Sequence, residues 1–195
     1  MAYPTLIKVR RKLLSMTGQS SLPGLWQPRP RLGWLLFAFT ALMGIELGAG
    51  AFVTAVICPL WTASPQAALG WTANTPYYVE EGVFFILVSP LLLLLSIVTL
   101  IAGRRAAPPL RLWLRIATIS YMLIFIVTLA YFVPLQDMVK GEAGTKISMA
   151  ELSSMLQRFA ALNYLRQAIG LLTFGAALHA LGLSYRMSGN RDRQV

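Results

Sequence analysis

Four runs of about 20 or more mostly apolar residues, at 34–60, 82–102, 112–133 and 162–183, dominate this 195-residue chain. Each is long enough to cross the roughly 30 Å hydrocarbon layer of a bilayer as a helix. Backbone polar groups in lipid must bond within their own segment unless strands close into a barrel, and these runs lack the alternation of barrel strands. The expected fold is therefore all-α, an integral membrane four-helix bundle. Composition agrees: 56% of residues are hydrophobic and 12% charged, against about 25% charged in soluble domains, and mean hydropathy is +0.62.

The formal charge of +10 raises the question of nucleic acid. Its distribution answers it. Lys8, Arg10, Arg11, Lys12, Arg29 and Arg31 precede the first run; Arg104, Arg105, Arg111 and Arg115 surround the second connection; Arg186, Arg191 and Arg193 follow the last run. Thirteen of the 17 basic residues thus fall on one side, and residues 61–81 hold none. By the positive-inside rule both termini are expected in the cytoplasm, with the first and third connections outside. The charge follows from topology, and no nucleic-acid partner is expected. The expected organisation is a basic segment 1–33, a transmembrane domain 34–184 and a basic tail 185–195. Residues 1–33 lack the apolar core of a cleavable signal peptide. Their cations, interleaved with Leu6, Ile7, Val9, Leu13 and Leu14, suit either an interfacial helix on anionic lipid or a disordered tail. A bacterial inner membrane fits this pattern, and so does an organelle membrane.

One cysteine, Cys58, and one histidine, His179, leave no disulfide framework and no metal-ligand spacing, so neither a metal nor a cofactor is expected. Thr75-Pro76 reads as the start of the second helix, with Tyr77, Tyr78, Glu80 and Glu81 in its first turns. Pro90 should kink that helix, and Tyr131, Pro134, Gln136 and Asp137 should end the third. Ser148 and Glu151 form a capping box ahead of an uninterrupted helical pattern. A helix from there to Leu183 has about 35 residues and about 53 Å of length, overlong for a membrane.

Two buried-charge anomalies point toward function. Glu46 falls near the middle of the first run, where an acid is costly unless paired, protonated or facing water. Asn163, Arg166, Gln167 and Gly170 form one stripe on the fourth helix. Depth arithmetic puts Glu46 about 12 Å and Arg166 about 6 Å below the outer surface, within reach of each other. Glu46, Asn163 and Arg166 are expected to converge in an outward-facing polar cavity. They form either a structural pair that fixes register or a general base with a substrate anchor. Ala41, Gly44, Gly48, Ala51 and Ala55 form a small-residue stripe suited to helix packing, and Gly50 leaves room beside the carboxyl.

Taken together, the Gly50-Ala51-Phe52 to Cys58-Pro59-Leu60 stretch, the Val133-Pro134-Leu135-Gln136-Asp137 segment and the Arg158-to-Arg166 opening of the fourth helix resemble the anthrone oxygenase-like family. The resemblance covers about residues 44–183, with Leu162, Gln136 and Tyr164 standing where that family usually has Trp, Asn and His. It implies a small four-helix membrane protein and an activity that oxidises an anthrone to an anthraquinone with molecular oxygen and no evident cofactor. Carried over, Glu46 is the base, and Arg166 with Asn163 the partner of the anion. Tyr131, Tyr164 and Phe159 then wall the aromatic substrate, with Gln136 and Asp137 beside them. The alternative is a non-enzymatic membrane protein, either a partner subunit or a carrier of small hydrophobic molecules. Membrane lipids and a hydrophobic small molecule are the expected partners, and a homo-oligomer is compatible with either reading.

Overall fold

The computed structural model describes residues 30–64, 66, 68–69, 81–140 and 147–192. Among them four long helices form a bundle with no strands. Helix α1 runs Pro30–Phe52, passes through a π-helical turn at Val53–Ile57 and ends as Cys58–Ala63. Helix α2 is Glu81–Ala102. Helix α3 runs Pro108–Val127, passes through a second π turn at Thr128–Phe132 and ends as Val133–Lys140. Helix α4 is Met149–Asp192. All four contain stretches long and apolar enough to span a bilayer, and the chain is a multi-pass membrane protein.

Where the third helix was expected to stop at proline, the chain does otherwise. Pro134 was the expected terminator of the third span, yet α3 continues to Lys140. A proline ring collides with the carbonyl four residues back and supplies no N–H to it. For Pro134 that carbonyl belongs to Ala130, inside the π turn; for Pro59 it belongs to Ala55, inside the other. A π turn bonds i to i+5, as in Cys58 N–H to Val53 O and Val133 N–H to Thr128 O. The wider turn makes room for the ring, so each helix bulges instead of ending.

The overlong fourth helix is continuous. Ser148 Oγ caps it, accepting from Glu151 N–H at 3.2 Å. Its 44 residues extend through the segment expected as a tail, a length of about 66 Å at 1.5 Å per residue. Helix α1 likewise begins at Pro30, inside the segment expected to precede the membrane domain. The expected interfacial helix near Leu6 and the Thr75-Pro76 helix start lie outside the described residues. Gly103 closes the tight connection between α2 and α3, where a side chain would collide with Leu114.

The core forms three layers along the bundle. One end is built by Leu32, Leu36, Leu110, Leu114 and Ala180, which places the start of α1 and the latter part of α4 together. Phe39, Met43, Leu92, Tyr121 and Ala177 fill the middle. Val53, Trp61, Phe132, Leu152 and Phe159 fill the other end. Outward from these, Trp34, Ile119, Leu123 and Leu171 are exposed, as a surface facing lipid requires. Gly44 packs on Phe174 of α4, but nothing approaches Gly48 within 4 Å. The small-residue stripe is therefore only partly a packing seam within the chain.

Candidate functional site

Glu46, on α1, is 7% exposed. Its Oε1 accepts from Ser89 Oγ of α2 at 2.6 Å. The Tyr121 hydroxyl of α3 lies 3.2 Å from the same oxygen and 3.1 Å from the Ser89 carbonyl. Oε2 is buried with no hydrogen-bond partner among the described residues. Three helices thus converge on one carboxyl, with one oxygen engaged and the other available. Tyr121 also seats its ring edge-on to Phe39 at 6.4 Å between centroids, so packing fixes where its hydroxyl points.

Arg166, on α4, is 9% exposed. Its guanidinium carbon lies 4.8 Å from the Phe85 ring centroid and 4.7 Å from that of Phe132, a sandwich in which the ring faces attract the cation. Among the described residues it makes no hydrogen bond and no ion pair, although a guanidinium carries five N–H donors. The expected contact pair with Glu46 does not form. Instead the two side chains line one chamber of about 20 Å³, with Met43, Phe85, Ile124 and Gln167. That is room for about one water molecule. Gly50 opposes Gln167, whose amide fills the space a side chain there would need; the room that Gly50 leaves serves Gln167.

Arg166 and Phe85 also line a larger cavity of about 150 Å³ between α2 and α3. Its walls include Ile86, Ser89 and Pro90 of α2 and Phe125, Thr128, Leu129 and Phe132 of α3. Both elements are irregular there. Pro90 leaves the Ile86 carbonyl without its helical donor, and the π turn of α3 supplies Thr128, Leu129 and Phe132. Ser89 joins the two spaces, since it lines the larger one and holds Glu46 at the edge of the smaller.

The family model of the anthrone oxygenases matches residues 82–176. This match, over just under half of the chain, supports an anthrone oxygenase-like family. No curated protein and no solved structure matches it. The matched residues carry Ser89, Tyr121, Asn163 and Arg166, so three walls of this site lie within the anthrone oxygenase domain. Glu46 and the Gly50-to-Leu60 stretch lie outside it, which is narrower than the resemblance read from the sequence.

Within the bundle the residues singled out from the sequence divide into groups. Glu46 and Arg166 share a chamber. Asn163 does not join them: its Nδ2 donates to Thr54 Oγ1 at 2.7 Å and approaches Cys58 Sγ at 3.6 Å, both in or beside the π turn of α1. Three residues along a helix raise a side chain about 4.5 Å and turn it about 300°, so Asn163 meets α1 at a different level. Phe159 packs on Trp61 and Phe132, at 5.5 and 5.1 Å between centroids, behind the Arg166 sandwich. Tyr131 lies against Phe132 at 5.7 Å, outside the residues lining the cavity. Tyr164 is exposed on the lipid-facing side. Asp137 is exposed in the last turns of α3; Gln136 is also there, its side chain outside those described. Sequence reasoning missed Ser89 and Tyr121. The available signal was a hydroxyl beside a mid-span proline and a tyrosine deep in the third run.

Proposed function

We propose that this chain is an oxygenase of lipophilic aromatic substrates of the anthrone type, working inside the membrane. The observation that carries the reading is Arg166: a buried guanidinium with no hydrogen bond among the described residues, between an apolar slot and the chamber of a buried carboxyl. Leaving such a cation unpartnered in a bilayer is costly, which favours a ligand oxygen as its missing partner. In this reading the substrate lies in the slot with its carbonyl oxygen toward Arg166. Its methylene gives a proton to ionised Glu46 by way of Ser89, and the resulting charge spreads to the oxygen that Arg166 holds. Molecular oxygen adds to the carbon and takes the proton back as a hydroperoxide. The C–H and O–O bonds then break, water leaves and a carbonyl remains, so one O₂ converts CH₂ to C=O plus H₂O. Tyr121 holds the Glu46 carboxyl in place, and the basic ends of the helices face the cytoplasm, in a bacterial inner membrane.

The test is oxygen uptake by the purified protein in lipid with an anthrone as substrate. One O₂ consumed per anthraquinone formed is expected. Anthrone bound without oxygen consumption overturns the oxygenase and leaves a carrier.

A further inference from the structure

The slot between α2 and α3 is small. A cavity of about 150 Å³ is the size that accepts a single benzene ring. The chamber beyond Arg166, about 20 Å³, accepts no ring. A larger ligand must extend past exposed walls of the slot, and two of these are Ile86, 57% exposed, and Leu129, 53% exposed, each within a membrane-spanning segment. The interior offers three phenyl rings, from Phe85, Phe125 and Phe132, and among the described residues its polar points are Ser89, Thr128 and Arg166.

We propose that this slot is a one-ring site reached sideways from the bilayer. It takes the phenolic ring of a membrane-resident amphiphile, oxygen toward Arg166, and leaves the remainder of the ligand among the lipid chains. The inference rests on the reading of Arg166 as the partner of a ligand oxygen and adds the ligand's shape and its route. Phenyl walls favour an aryl head over a phosphate, which would need more than one cation to leave water. A fused tricycle can place only one of its rings inside. A phenol with a single long alkyl tail matches the slot better, because its one ring fits and its tail belongs in lipid.

The probe is 3-pentadecylphenol carrying a diazirine on the tail close to the ring, photolysed with the protein in lipid nanodiscs and mapped by peptide mass spectrometry. Labelling near residues 86–90 and 125–129, competed by unmodified 3-pentadecylphenol, is the expected result. Leu129→Trp and, as a second filling in case the first fails to fold, Ile86→Trp should each lower competed labelling at least tenfold. Ile119→Trp, on a lipid-facing position of α3, should not change it. Competed labelling confined to α1 or α4, or unchanged by both fillings, overturns the proposal. The readout needs no turnover. A slot that is labelled in a protein consuming no oxygen leaves this inference standing and removes the oxygenase reading. Oxygen uptake with anthrone that survives both fillings removes this inference, and with it the placement of the substrate in the slot, and leaves the oxygenase activity standing.

Discussion

Removing the two hydroxyls on Glu46 should have unequal effects. Ser89 Oγ is 2.6 Å from Oε1, while the Tyr121 hydroxyl is 3.2 Å away and shared with the Ser89 carbonyl. Hydrogen bonds between membrane helices average about 0.6 kcal/mol and reach about 1.7. A short bond to a carboxyl belongs at the upper end and a long, shared one near the mean. For a chain of this size 1 kcal/mol shifts the unfolding midpoint by roughly 2–4 °C. Ser89→Ala should then lower it by about 3–7 °C and Tyr121→Phe by about 1–2 °C, since phenylalanine keeps the ring against Phe39. The double variant strands the whole carboxyl and should lose more than the sum. The assay is built into the chain: its single cysteine, Cys58, is buried, so a thiol-activated dye reports unfolding in detergent. Tyr121→Phe costing as much as Ser89→Ala, or an additive double variant, would refute the hydrogen-bond geometry drawn around Glu46.

Gly50→Leu should lower the midpoint by displacing the Gln167 amide, whereas Gly48→Leu, at an exposed position with open space beside it, should shift it by less than about 2 °C in the same assay. Asn163→Leu should cost about 1 kcal/mol through its lost bond to Thr54 and leave oxygen uptake with anthrone unchanged, because Asn163 lines neither cavity. In whole cells, cysteine at the exposed Gln66 should react with an impermeant thiol reagent and cysteine at the exposed Arg104 should not; the reverse would invert the proposed topology.

The spans were legible because the bilayer sets a length, and runs of 20 or more apolar residues satisfy it in one way. The continuous fourth helix was legible from Ser148, Glu151 and the absence of proline after them. The two π turns were not. Pro134 read as a stop, since a sequence does not reveal that a helix will widen upstream of a proline to continue. The level of Glu46 and Arg166 followed from counting residues at 1.5 Å each, and they do face one chamber. Counting gives depth and not rotation between helices. For that reason Ser89 and Tyr121 went unnoticed as partners of Glu46, and Asn163 was assigned to a cavity that it does not reach.

The central claim is that Glu46 and Arg166 act on a ligand instead of merely holding helices in register, and oxygen uptake by matched folded amounts of wild type, Glu46→Gln and Arg166→Lys tests it most directly. Gln keeps an acceptor for Ser89 and Tyr121 but cannot take a proton, and Lys keeps the charge but not the planar fork. The account predicts near-normal folded yield for both variants, with anthrone-dependent uptake lowered at least about 100-fold for Glu46→Gln, the lower bound for general-base catalysis, and clearly reduced for Arg166→Lys. Uptake that persists in well-folded Glu46→Gln, or loss that only tracks loss of folded protein, would contradict it.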